Sequence, residues 1–171
     1  YYKDYYISKR NGGQRKISQA SPELKTLQYW IKANILALMP VSKGAFAYNK
    51  GNSIKRHAEF HKDSYFIFHT DIKNFFPSIT SEHLISVLSD NHSLIEEAGL
   101  WFDDLFDVIS SICFRHNHLC IGTVSSPAIC NIIMYFFDEY FTDYCSSRNW
   151  KYSRYADDIY ISSQEYLPCS L

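Results

Sequence analysis

The order of local patterns along the chain predicts an α+β fold, and three observations carry that reading. A glycine-centred hairpin near the start is followed by an amphipathic helix. A β-favouring run lies in the middle. A long periodic helix then leads into two further strands around Ala156-Asp157-Asp158. Such a succession describes a small hairpin-and-helix part, then a sheet covered by helices.

The elements follow in order. Tyr5 to Lys9 and Gln14 to Ser18 read as two short strands around Asn11-Gly12-Gly13, a hairpin signal. Ser21-Pro22-Glu23 opens a helix, with Ser as N-cap, Pro at the first helical position and an acid in the first turn. Leu24, Leu27, Ile31, Ile35 and Leu38 form its apolar stripe, and Pro40 is its expected end. Residues 42–62 are polar, basic and hold two glycines, and are expected to be loop-rich. Tyr65 to Ile72 is a β-favouring run expected as a buried strand, broken by Pro77. Thr80-Ser81-Glu82 starts a helix, and Ser93 to Glu96 fits a capping box before one with Leu105, Val108, Ile109 and Ile112. Ser126-Pro127 opens a third helix, read as continuous through Ile129, Ile132, Ile133, Phe136, Phe137, Tyr140, Phe141 and Tyr144. Lys151 to Tyr155 and Ile159 to Ser162 are the last two strands.

Composition narrows the function classes. At 46% apolar and 17% aromatic the chain is globular. No run approaches the roughly 18 apolar residues of a membrane span, and the opening residues lack a signal peptide's apolar core. Five cysteines (113, 120, 130, 145 and 169) form no CxxC pair, which predicts a reducing cytoplasm rather than a disulfide framework or zinc site. A start without Met and an end soon after a strand predict a piece of a longer protein. The net charge of -1 hides a split: residues 1–62 hold 12 Lys and Arg against 3 acids, whereas residues 63–171 hold 5 against 15. A basic surface for a polyanion, joined to a part that concentrates carboxylates, is the pattern this suggests.

Asp157 and Asp158, adjacent at a tight turn between apolar strands, repel each other unless a cation neutralises them. Asp71, at the end of the mid-chain strand, supplies a third carboxylate if that strand lies beside the hairpin. Mg²⁺ takes one or two carboxylates and completes its shell with water and phosphate oxygens. A pair of such ions suits an in-line phosphoryl displacement, clamping the attacking and leaving oxygens.

These residues resemble a known family. Asp71-x-x-x-x-Phe76 resembles the first palm motif of reverse transcriptases, and Tyr155-Ala-Asp157-Asp158 their second metal-binding motif. Ile121-Gly122 through Ser126-Pro127 to Asn131 is similar to the glycine turn and helix that support the templating base and incoming nucleotide. Lys9-Arg10-Asn-Gly-Gly-Gln-Arg15 resembles the fingers hairpin. The retron subtype is suggested by Asp71-Ile-Lys-Asn-Phe-Phe-Pro-Ser-Ile79, by Arg154-Tyr-Ala-Asp-Asp158 and by Ser53 to His61, with His57 where Asn is usual. One departure is Ile121, standing where the family commonly has Gln.

The resemblance implies a right-hand polymerase: residues 1–62 as a basic fingers-like region, and residues 63–171 as a palm with helices on one face of an antiparallel sheet. The thumb is missing from the stretch. It implies RNA-directed DNA synthesis from dNTPs onto a primer 3′- or 2′-hydroxyl, templated by a structured RNA. Two Mg²⁺ ions, or Mn²⁺, would be held by Asp71, Asp157, Asp158 and the Ile72 backbone carbonyl. Lys9, Arg15, Phe76 and Gly122 would contact the nucleotide, with Phe76 the gate against a ribose 2′-hydroxyl. Lys50, Lys55, Arg56 and Ser126 would contact nucleic acid. A bacterial cytoplasmic setting, an effector protein and a role in anti-phage defence complete the implication. His61 is read as structural and Phe75 as core. Alternatives are a group II intron-like or other defence-associated reverse transcriptase, and a degenerate palm serving as an RNA-binding scaffold.

Overall fold

The structure, a computed structural model, describes residues 1–8 and 12–167, so Lys9 lies outside the described residues. Along the chain run β1 (Tyr2–Ser8), β2 (Gln14–Ala20), α1 (Pro22–Asn34), α2 (Ile54–His61), β3 (Phe66–Asp71), α3 (Phe75–Ser78), α4 (Ser81–Asp90), α5 (His92–Glu97), α6 (Leu105–Cys113), α7 (Ser126–Ile133), α8 (Tyr135–Ser146), β4 (Lys151–Tyr155) and β5 (Asp158–Ser163). The α+β class and its antiparallel sheets are as expected. Residues 1–40 with 76–133 form one compact unit, and residues 41–75 with 134–171 a second.

In the first unit β1 and β2 pair from Tyr2 opposite Ala20 to Ser8 opposite Gln14. Gly12 and Gly13 take φ of +82° and +80°, which only glycine adopts without cost. Asp4 accepts from Lys16 Nζ at 2.9 Å, Arg115 Nη1 at 2.5 Å and Ser18 Oγ at 2.8 Å. Those donors hold its carboxyl far below the usual range. The Ser21 hydroxyl accepts the Leu24 N–H and caps α1, whose buried face is Leu24, Gln28 and Ile31. Leu27 is half exposed, and the helix stops at Asn34 in favour of a 3₁₀ turn over Leu36–Leu38, short of Pro40. The capping box sits at Thr80 with His83, not at Ser93, which lies inside α5. Leu105, Ile109 and Cys113 are the buried side of α6, and Val108 is exposed.

In the second unit β5 is central, flanked by β3 and β4 in antiparallel pairing. Tyr152, Arg154, Ile159 and Ile161 share one face, against which Cys145 and Phe141 of α8 pack. Ser153 and Ser162 lie on the opposite face, where His57 and His61 of α2 bond to them. Helices therefore meet both faces along β4, not one. Three further expectations change. The stretch 42–62 contains α2, with Ser53 capping the Arg56 N–H. All six residues of β3 are exposed, because α2 and α8 pack along β4 at the opposite edge of the sheet and leave β3 open. The long third helix is broken at Met134, where α7 ends and α8 begins, at the boundary between units. Among the described residues no helix is long and apolar enough to cross a membrane.

Candidate active site

The hairpin register builds the site. Tyr155 and Asp158 are cross-strand partners, so Ala156 and Asp157 alone make the connection between β4 and β5. Two-residue turns match strand twist only with a left-handed residue, and Ala156 supplies it at φ 60°. For a residue with a Cβ that conformation costs about 1–2 kcal/mol. Two bonds hold it. Arg154 Nη1 donates to the Ala156 carbonyl at 2.8 Å, and the Asp157 carbonyl accepts the Ile72 N–H at 2.9 Å.

The same register sets Asp71 opposite Asp158. Partners across an antiparallel pair point to one face, so Asp71, Asp158, Tyr155 and His69 share a side of the sheet. The Ile72 bond keeps Asp157 alongside the end of β3. Asp158 is already engaged: its Oδ1 lies 2.8 Å from His69 Nε2, and His69 stacks on Tyr160 with centroids 4.6 Å apart. Among the described residues no group of three or more His, Cys, Asp or Glu side chains is gathered so as to hold a metal ion. What is assembled is the backbone. Carboxylate oxygens are the donors that Mg²⁺ and Mn²⁺ take, so the donor set fits such an ion.

Beneath the turn lies a buried ion pair. Arg154 and Asp138 are both 0% exposed, bonded Nε to Oδ1 at 2.8 Å and Nη2 to Oδ2 at 2.6 Å. Tyr152 donates to the same Oδ1 at 2.7 Å. On the other face His61 sits between Ser162 and Ser153, its ring nitrogens 2.6 and 2.7 Å from their hydroxyls. His57 lies 2.6 Å from Ser153 Oγ. Burial lowers both histidines, His61 to about 4. These bonds give His57 and His61 structural places.

Of the residues expected at the nucleotide, Arg15, Phe76 and Gly122 belong to the first unit, whereas Asp71, Asp157 and Asp158 belong to the second. Gly122 has φ +102°, and a Cβ there would meet Ile17 Cγ2 at 2.6 Å. The adjoining Ile121 carbonyl accepts the Ser18 N–H at 2.9 Å. Gly122 is thus required by packing on β2, the strand that carries Arg15. Fully buried Gln28 spans the neighbourhood, donating to the Ile112 carbonyl at 3.0 Å and accepting from Val124 N–H at 3.3 Å. Arg15 is exposed, Phe76 half-buried and Phe75 buried. Ser126 is corrected: it is fully buried, its hydroxyl 2.5 Å from that of Thr123, and serves the start of α7 rather than a surface. In the second unit Lys50, Lys55 and Arg56 are exposed before and within the first turn of α2. Arg56 donates to the Gly51 carbonyl and Lys55 lies 3.8 Å from Glu59.

Two residues escaped the sequence reading. His69 stands two positions before Asp71, and that spacing on a strand would have placed both on one face. Arg154 was visible only as part of a motif; its partner Asp138 on α8 carries no sequence signal.

Residues 7–168 match the family model for reverse transcriptase (RNA-dependent DNA polymerase). The retron Ec73 reverse transcriptase of Escherichia coli is 34% identical over 168 residues, covering 94% of this chain and 53% of the relative. The retron Ec83 enzyme of the same organism is 34% identical over 173 residues, at 96% and 54%. The retron Mx162 reverse transcriptase of Myxococcus xanthus is 28% identical over 179 residues, at 95% and 36%. The chain spans about half the length of the E. coli relatives it matches. It belongs to the reverse transcriptase (RNA-dependent DNA polymerase) family, and its likeness to the retron enzymes runs through nearly all of its length.

Proposed function

We propose that this chain carries the nucleotide-adding site of a retron-type RNA-directed DNA polymerase, extending a primer hydroxyl with dNTPs on a structured RNA. The observation that carries the reading is the register: Asp71 opposite Asp158, with Asp157 in the two-residue turn bonded back to Ile72. Asp71, Asp157 and the Ile72 carbonyl would hold Mg²⁺, with Mn²⁺ able to substitute. Bound there, such an ion supplies charge neutralisation at the reacting phosphate and the leaving pyrophosphate. Asp158, shared with His69, tunes the charge of the site rather than leading the ligand set. Phosphoryl transfer needs positioning more than a protein nucleophile, and none is assigned.

The remaining roles are proposed from the family resemblance. Lys9 and Arg15 of the hairpin meet the triphosphate, and Phe76 fills the space of a 2′-hydroxyl. Lys50, Lys55 and Arg56, exposed on the basic part, meet nucleic-acid phosphates, an interaction that weakens as salt rises. Residues 1–62 act as fingers and 63–171 as palm. RNA template, DNA product and an effector protein are the proposed partners.

Primer extension by the full-length protein on an RNA template, with Mg²⁺ and dNTPs, tests the reading. Asp157→Asn is expected to abolish extension while RNA binding persists. Equal extension by that variant would remove the site assignment; RNA binding without extension in the unsubstituted protein would favour a scaffold.

A further inference from the structure

Asp138 and Arg154 pose a physical question that their pairing alone does not answer. Both are 0% exposed, and taking two ions out of water offsets most of their attraction. An apolar pair of like volume would serve stability as well. The guanidinium, however, has more donors than the carboxylate can accept from in one plane. Nε and Nη2 take the two Asp138 oxygens, and Nη1 reaches the Ala156 carbonyl at 2.8 Å.

Everything around the arginine fixes where that third donor points. Its own N–H donates to the Gly44 carbonyl, and its carbonyl accepts the Phe46 N–H, both at 2.8 Å. Tyr152 anchors Asp138 from the same strand at 2.7 Å. Gly44 is itself packed tightly, since a Cβ there would lie 3.0 Å from Thr142 Oγ1 and 3.2 Å from the Tyr152 ring. The recipient, Ala156, holds a backbone conformation that alanine does not favour, and its next neighbour is Asp157.

We infer that Arg154 is a positioning residue: anchored by Asp138, it holds the left-handed Ala156 turn and so sets where Asp157 stands. The inference rests on the reading of Asp157 as a metal-holding carboxylate. Arg154 touches no reacting atom; it acts from the opposite face of the sheet, through one carbonyl.

The test uses the full-length protein, with primer extension giving kcat and the half-saturating Mg²⁺ concentration, and thermal melting giving the state of the fold. Arg154→Met, Asp138→Leu and Tyr152→Phe together remove the buried ion pair with its tyrosine donor, and take from the Ala156 carbonyl its bond to Arg154. The combined variant is expected to melt cooperatively yet lose roughly hundredfold in kcat, the scale of an about 1 Å misplacement, and to need more Mg²⁺. Adding Ala156→Gly should restore part of the loss, because glycine takes positive φ freely. A role confined to stability gives no such rescue. Unchanged kcat and Mg²⁺ dependence in the folded variant, or a loss that Ala156→Gly leaves untouched, overturns the inference. Should the combined variant not fold, Arg154→Lys keeps the charge beside Asp138 but not the fork. A higher Mg²⁺ requirement there supports the inference, and an unchanged one overturns it. Asp157→Asn run alongside separates the two readings: if it extends normally, the assignment of Asp157 has failed, whatever Arg154 does.

Discussion

Acidifying the protein should act first on His61. Its ring is held by Ser162 and Ser153, and burial, then the neighbouring charges of His57 and Lys151, push its pKa down to about 4 from the ordinary 6.5. As pH falls below 6.5 the unfolded chain takes up this proton and the native state refuses it. Stability is therefore complete above 6.5 and is lost as the pH falls toward 4. At about 1.4 kcal/mol per pH unit the loss reaches roughly 3 kcal/mol by pH 4. That is a large part of the 5–15 kcal/mol, roughly, that holds a domain folded. His57 is lowered in the same direction and adds to it. Urea unfolding followed by far-UV circular dichroism, at steps between pH 7.5 and pH 4, measures the effect. His61→Gln retains a polar partner for a serine hydroxyl without the proton, so its stability should fall less steeply by about 3 kcal/mol over that range. Carboxylate titration is common to both proteins and cancels in the difference. Parallel curves for the two would refute the argument.

Two further outcomes follow from the geometry. Gly122→Ala forces a Cβ to within 2.6 Å of Ile17 at φ +102° and should cost roughly 2 kcal/mol or more in chemical unfolding; a change below experimental error would show that the turn relaxes freely. Phe76→Ala should let the full-length protein incorporate ribonucleotides in competition with dNTPs, and unchanged sugar discrimination would remove the gate.

The parts of this molecule legible in the sequence are those fixed by local chemistry. Ser21-Pro22 marks its helix because capping and a preset φ act within one turn. Tyr155 to Asp158 reads as a tight turn because two β-favouring runs flank it. Helix α2 was hidden for a definite reason: its buried face is His57 and His61, which a hydropathy reading counts as polar. Apolar periodicity runs unbroken across Met134, since spacing reports which residues are apolar and not whether the backbone between them stays helical. Phe136 and Tyr140 then prove 68% and 64% exposed, which no periodicity could reveal. The three carboxylates could be named from sequence, but His69 on Asp158 and Arg154 behind Ala156 depend on strand register and on a helix elsewhere in the chain.

The exposed edge strand has a practical consequence. Phe66, Ile67 and Phe68 stand 40%, 56% and 42% exposed on β3, and its outer side has no strand partner among the described residues. An edge with apolar side chains and open backbone donors is a template for another strand. Polar side chains that would discourage such pairing come only at its end, with His69, Thr70 and Asp71. Concentrated preparations of this 171-residue stretch will consequently tend to self-associate edge to edge. A lysine at Ile67, on the carboxylate face but four residues from Asp71, is the substitution that would keep them dispersed.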